Sequence, residues 1–315
     1  MASVLRRLGV FLLTLVAASI AVFALLAVLP GDPAQINAGT TATPAQVAAL
    51  RKQYGLDAPV ATRYARWVGD LTTGHLGDTF IGRRSIASEI STCLVVTLPL
   101  VAMSMVIALL IALPLGFLAA VGHRRWYGTA ISAVTQIGIA VPAFWMGVIL
   151  VAWFSVRWQL LPSGSFVHWS DSIWGAFKSL LLPAIALGIV QAAILTRYVR
   201  SSVLDVLRED YIRTARAKGM TMGQALRRHG ARNAAVPVVT VLGLNLSALL
   251  VGAVVIENVF AIKGLGKLLV DNINNREIIL IMDVVMLLTV ITLVINLVVD
   301  LLLMAIDPRT REVGR

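Results

Sequence analysis

Charge is what this chain of 315 residues most lacks: Asp, Glu, Lys and Arg make up 14% of it, against 58% hydrophobic residues. A soluble domain carries roughly 25% charged residues. So few polar side chains cannot cover the apolar ones, which excludes an ordinary soluble domain and makes an integral membrane protein the default. Cysteine is almost missing too. The single thiol, Cys93, excludes an internal disulfide and a thiolate metal centre. The four histidines, His75, His123, His168 and His229, fall in loops without metal-ligand spacing. No carboxylate pair or His–Glu dyad lies mid-span, which counts against proton-coupled transport and intramembrane hydrolysis. The stretch "KGLGKLL" (Lys263–Leu269) fails as a phosphate loop, because Ala261 and Leu268 stand where Gly and Ser/Thr are required. No catalytic residue, cofactor site or metal site of the chain's own is therefore expected. The alternating strands of an outer-membrane barrel are also missing, and no low-complexity linker divides the chain.

What is present is a series of charge-free runs: Leu8–Leu29, Leu94–Val121, Thr129–Val156, Ser179–Thr196 and Asn233–Ile256. A helix needs about 20 apolar residues to cross the hydrocarbon core. A sixth run, Ile278–Met304, holds Asp283 and Asp300 among 19 Leu, Ile and Val. At about −0.4 kcal/mol each, the aliphatic residues outweigh two Asp at about +3 each. Both Asp lie toward the ends of the run and are expected near the interface, solvated, with lining of a path as the alternative. The expected fold is all-α, with six transmembrane helices in one membrane domain, 1–315, and a helical insertion at 31–92.

The net charge of +11 raises the question of nucleic acid, but its distribution answers with topology. With the N-terminus inside, the inside segments carry Arg6–Arg7, Arg124–Arg125, the stretch Arg197–Arg232, and Arg309, Arg311 and Arg315. The long first outside loop, Gly31–Thr92, is near balance, with six Lys/Arg and five Asp/Glu. That is the positive-inside pattern, with both termini cytoplasmic. The first run exceeds a signal peptide's core of about 7–15 residues, so it is expected to stay as a span.

The outside insertion shows helix punctuation. Thr43, Pro44 and Gln46 form a capping box with proline at the first helical position, predicting a helix to about Tyr54 that stops at Gly55. A second helix should follow Pro59, carry Tyr64 and Trp67, and end before Gly74. Trp67 suits either the membrane interface or packing inside the loop. Ile86 and Ile90 lead into the second span at i, i+4 spacing. Pro and Gly interrupt several spans, and bent helices line the paths of transporters, although both residues are common in membrane helices anyway. Pro114, Pro142 and Pro183 are hinge candidates, and Asn245 is a candidate path residue. In the fifth span Gly243 with Ser247, and Ala248 with Gly252, allow close helix approach, within the chain or to a second subunit.

Residues 200–235 form the one long inside loop. Val203, Leu204, Leu207 and Tyr211 recur at helical spacing, predicting an amphipathic helix that continues through Ile212 and Ala215 to Gly219. Thr221 and Gln224 make a second capping box, opening a short helix Met222–His229. Small residues, Ala215, Ala217 and Gly219, leave the backbone accessible beside a basic rim. Docking to another protein, a solvated loop that sets topology, or a basic helix on anionic lipid all fit this pattern.

The stretch "YIRTARAKG" (Tyr211–Gly219), followed by "RHGARN" (Arg228–Asn233) and Pro237, resembles the inside loop of ABC-importer permeases. It is most similar to the dipeptide/oligopeptide permeases, the first, B-type chain of their heterodimer. "LPGDPA", "TPAQVAALRKQYGLDAPV", "GHLGDTF", "VPAFWMGVIL" and "GAVVIENVFAIKGLGKLLVDNI" extend the resemblance over nearly the whole chain. Gly230 stands where that family often has alanine, and Lys263 where it often has proline. The resemblance implies a type I importer permease in the bacterial inner membrane, forming half of a path for peptides or, in relatives, nickel, haem or sugars. It implies a second homologous permease, two cytoplasmic ATPase subunits or domains that bind ATP and Mg, an extracytoplasmic binding protein, and no nucleic acid. It also makes 200–235 the coupling loop. Its site residues would be Tyr211, Arg213, Thr214, Ala215, Ala217, Lys218, Gly219, Met222, Arg228 and His229. The rivals are a secondary transporter driven by an ion gradient and a membrane-embedded enzyme or scaffold.

Overall fold

The computed structural model describes residues 2–28, 31–39 and 41–306, and their regular structure is helical apart from one isolated bridge, Asp78 to Ser85. Leu29 and Pro30 of "LPGDPA", and Arg309, Arg311 and Arg315, lie outside the described residues.

The first run forms α1 (Ala2–Ala27). Three short helices then follow: α2 (Pro33–Ala38), α3 (Pro44–Gln53) and α4 (Val60–Thr73). The predicted punctuation is present. Gln46 N–H donates to Thr43 Oγ1 at 3.4 Å, and Thr43 N–H donates to Gln46 Oε1 at 2.8 Å. Gly74 closes α4 in the left-handed region. The first of the three, α2, is not among the expectations. Its signal is Asp32-Pro33, an N-cap carboxylate that accepts from Ala34 N–H followed by proline at the first helical position.

The second run lies within α5 (Ile86–Val121), which continues through Pro99 and Pro114. The third is not a straight span. It splits into α6 (Trp126–Ala140) and α7 (Ala143–Leu150), the latter prolonged by a wide turn to Arg157, and the two arms meet at 97°. Pro142 is the cause. It has no N–H to donate, and it pushes Val141 into extended conformation (φ −82°, ψ 121°). Next come α8 (Ile173–Leu207), α9 (Asp210–Ala217), α10 (Met222–Ala225), α11 (Ala231–Val259), α12 (Leu265–Asn274) and α13 (Ile278–Ile306). Among the described residues, five helices are long and apolar enough to span a membrane, or six where the bent pair is taken as one broken span.

Contacts divide the chain into two units. The first comprises Leu98–Ile262 and the residues from Val294. Its core is α8, whose many alanines let neighbours come close. At Gly116 a Cβ would sit 2.6 Å from Val199 Cβ and 2.9 Å from the Thr196 carbonyl, so α5 and α8 touch along their backbones there. The small residues of α11 are used within the chain: a Cβ on Gly243 would meet Val299 of α13 at 3.2 Å, and one on Gly252 would meet Leu187 of α8 at 3.1 Å.

The second unit comprises Val4–Thr97 and Lys263–Leu293. Trp67 is buried with Phe23, Ile278 and Met282, and Phe23 stacks on its ring at 6.0 Å. Trp67 Nε1 donates to Asp283 Oδ1 at 2.8 Å. Asp283 is 2% exposed, so the expected solvated carboxylate is instead an internal anchor for α4. Glu277, also buried, accepts from Phe80 N–H at 2.7 Å and Ile81 N–H at 2.6 Å. Glu89 pairs with Arg84 at 2.6 Å and with Lys263 at 3.2 Å.

Candidate functional site

Residues 200–235 lie in the first unit, and they are built in four steps. The apolar stripe of α8 runs through Val203 and Leu204 to Leu207. The expected single helix then breaks. Glu209 is extended (φ −67°, ψ 143°), and α9 starts afresh with Asp210 in its first turn, where a carboxylate favours the helix dipole. The restart seats Ile212 and Ala215 in an apolar cluster with Val203, Val206, Leu226 and Ala234. Full burial of a side chain the size of Ile212 contributes roughly 2 kcal/mol. The other side of α9 is exposed: Arg213, Thr214, Arg216, Ala217 and Lys218. Ala215 therefore differs from its expected place, because it packs inward rather than opening the backbone to a partner.

Gly219 ends α9 with φ +89°. Its N–H reaches the Arg216 carbonyl at 3.0 Å, and Met220 N–H reaches the Ala215 carbonyl at 3.3 Å. This paired closure needs a residue free to adopt the left-handed region, which glycine does without penalty. Nothing lies within 4 Å of where a Cβ on Gly219 would sit, so the turn is open.

The second capping box is also formed: Gln224 N–H donates to Thr221 Oγ1 at 3.3 Å, and Thr221 N–H donates to Gln224 Oε1 at 3.0 Å. The expected separate helix Met222–His229 is different in one respect. After Ala225 the backbone widens into a π-turn, Leu226–Gly230, and passes without a stop into α11, giving one helical rod, Met222–Val259. Gly230 is buried at that turn. A Cβ there would meet Leu226 Cδ1 at 2.6 Å and Val206 Cγ1 at 2.7 Å, so glycine serves close packing. Arg227, Arg228 and His229 remain exposed. Met220, Gln224, Arg227 and Arg228 line an open depression of about 550 Å³.

Thus Tyr211, Arg213, Thr214, Ala217, Lys218, Gly219, Arg228 and His229 are all exposed, and Met222 is half-buried. Among the described residues of 200–235 the one ion pair is Arg213 to Asp210 at 3.2 Å, itself exposed. Arg216, Lys218, Arg227 and Arg228 are exposed.

The path candidates do not share a setting. Pro114 and Pro142 are exposed, Pro183 is buried in α8, and Asn245 is buried in α11 with Nδ2 unpartnered among the described residues. Sequence reasoning missed Gln191 of α8, whose Oε1 is likewise buried without a partner; an amide inside a charge-free run was the available signal. It also missed Ser202, Arg232 and Asn233, which hold the segment in place. Asn233 Nδ2 donates to Tyr211 Oη at 2.9 Å.

Comparison with known proteins bears on the same chain. Residues 112–312 match the family model "Binding-protein-dependent transport system inner membrane component", and residues 1–85 match its companion for the N-terminal part. The chain is 39% identical over 308 residues, 98% of each chain, to the glutathione transport system permease protein GsiC of Salmonella paratyphi A (strain ATCC 9150 / SARB42). It is 38% identical, over the same length and shares, to that of Escherichia coli (strain K12). Among solved structures it is similar to the inward-facing MetNI methionine ABC transporter, with TM-score 0.55 and 18% identity over 69% of this chain and 96% of that one, a likeness of fold.

Proposed function

Because the chain belongs to the binding-protein-dependent inner membrane components, the permeases of ABC importers of the peptide type, we propose that residues 200–235 are its coupling element. The observation that carries this is the two-sided build of α9. Its inner side is fixed to the spans by Ile212 and Ala215, and its outer side offers exposed basic groups, Arg213, Arg216 and Lys218, next to the open Gly219 turn. A partner that grips the outer side moves whatever the inner side is packed on. The partner is an ATPase, two per assembly, and these bind the ATP and Mg. A second permease supplies the other half of the path, and a binding protein delivers cargo to the side of the 31–92 insertion. Both termini then lie in the cytoplasm, as the positive-inside distribution of Lys and Arg requires.

The mechanism is alternating access. ATP binding closes the ATPases, the segment around Gly219 is displaced, and the paired bundles open outward. Cargo enters, and hydrolysis restores the inward state. The relatives' names favour a small peptide such as glutathione as cargo over nickel, haem or sugars. They also disfavour an ion gradient as the driving force.

The test uses the assembled complex in liposomes. Gly219→Trp strains the turn and fills the open space, and it is expected to abolish ATP hydrolysis stimulated by loaded binding protein while all subunits still co-purify. Undiminished stimulation and uptake in that variant would refute the coupling role.

A further inference from the structure

Three consecutive residues at the start of α11 each reach a different element. Arg232 Nε donates to the Ile306 carbonyl, in the last turn of α13, at 2.8 Å. Asn233 Nδ2 donates to Tyr211 Oη of α9 at 2.9 Å. The Ala234 carbonyl accepts from Ser202 Oγ of α8 at 2.7 Å, in a buried setting. Successive helical residues point about 100° apart, so three neighbours can address three directions at once. Ala234 also belongs to the apolar cluster that holds Ile212 and Ala215.

We infer that this turn is a three-way junction in which Asn233 and Arg232 are positioning residues: Asn233 couples α9 to α11, and Arg232 couples α11 to the end of α13. The inference rests on the reading of α9 as the element that the ATPase moves. The physical reason lies in what else holds α9. Apolar packing at Ile212 and Ala215 resists separation but is non-directional. A hydrogen bond fixes distance and angle, so the Asn233–Tyr211 bond sets how far α9 can slide before α11 must follow. At Ile306 the carbonyl is one of the last four of a helix, which have no partner within it, and a guanidinium there also favours the dipole. Ser202 completes the set by tying α8 to the same turn. Displacement of α9 is thereby shared among three spans instead of being absorbed by a flexible joint.

The experiment compares variants of the full complex in liposomes, with glutathione as the cargo probe and uptake per ATP hydrolysed as the readout. Asn233→Leu removes the donor. It is expected to lower uptake per ATP about threefold to tenfold, the weight of one hydrogen bond. Asn233→Asp restores a bond, because the tyrosine hydroxyl can donate to a carboxylate, and should recover most of the coupling. Tyr211→Phe combined with Asn233→Leu should do no more than either alone; additive losses would overturn the junction. Hydrogen exchange separates the arms. Arg232→Ala should raise exchange in the last turn of α13 and leave α9 unchanged, and Asn233→Leu should do the reverse. Equal changes in both places would also overturn it. Failure of Gly219→Trp to affect stimulation would instead remove the coupling reading itself. Should Gly219→Trp uncouple while Asn233→Leu does not, only the junction fails.

Discussion

The 31–92 insertion and the 200–235 segment are punctuated alike and fastened differently. Each opens a helix with a Thr-x-x-Gln capping box, and each closes one with a left-handed glycine. The insertion is held by carboxylates buried beneath it: Asp283 receives Trp67, and Glu277 receives the backbone of Phe80 and Ile81. In the other segment α9 rests mainly on the aliphatic cluster around Ile212 and Ala215, with one exposed hydrogen bond from Asn233 to Tyr211, and turns its basic side chains outward, where the one ion pair is solvent-exposed. Directed bonds under low dielectric hold one geometry. Aliphatic seating tolerates small slips at low cost. The first arrangement suits a platform that keeps its shape, and the second is compatible with the proposed coupling role.

The contrast can be broken most forcefully at Glu277. Glu277→Leu leaves two backbone N–H groups without their acceptor, and each such bond to a charged group contributes about 1.5–3 kcal/mol, so a loss of about 3–6 kcal/mol is expected. Thermal unfolding of the detergent-solubilised complex measures it, with new protease cleavage between residues 77 and 85 as the local sign. A loss smaller than that of Arg213→Ala, which should stay within about 0.5 kcal/mol as an exposed pair, would erase the distinction.

Next in size is Trp67→Phe, which keeps an aromatic ring and removes the donor. About 2 kcal/mol should be lost, and Trp67→Phe with Asp283→Leu should regain part of it, since removing both partners avoids a stranded buried group. A double variant worse than the sum of the singles would contradict the anchor.

The smallest effect sharpens the comparison. Thr43→Ala and Thr221→Ala each delete one N-cap, worth about 1 kcal/mol of stability. Both should melt slightly earlier. Uptake per folded complex should fall in Thr221→Ala alone, because that cap lies in the segment proposed to couple. Equal falls in uptake would put the two regions on the same footing.

Much of this was legible from local chemistry. The capping boxes, the stops at Gly74 and Gly219, and five of the six spans follow from a few adjacent residues, and the structure has them. What escaped depends on partners far along the chain. Asp283 reads as an interfacial acid until Trp67, 216 positions upstream, is seen to donate to it. Ala215 reads as an accessible small residue until the break at Glu209 turns it inward. The bend at Pro142 was visible as a proline but not as 97°, because proline specifies a missing bond and not the angle that packing selects. Arg232 and Asn233 looked like charge and polarity at a membrane boundary. Their roles appear only when α9 and the end of α13 arrive beside them.

The continuous rod from Met222 to Val259 has a mechanical consequence. At about 1.5 Å per residue it is roughly 55 Å long, so a tilt of about 5° about one end sweeps the other by about 5 Å. A rotation of that size at the capping box thus moves the opposite tip by about the width of an amino-acid side chain. Under the proposed coupling role, such an arm needs only a small turn at its gripped end.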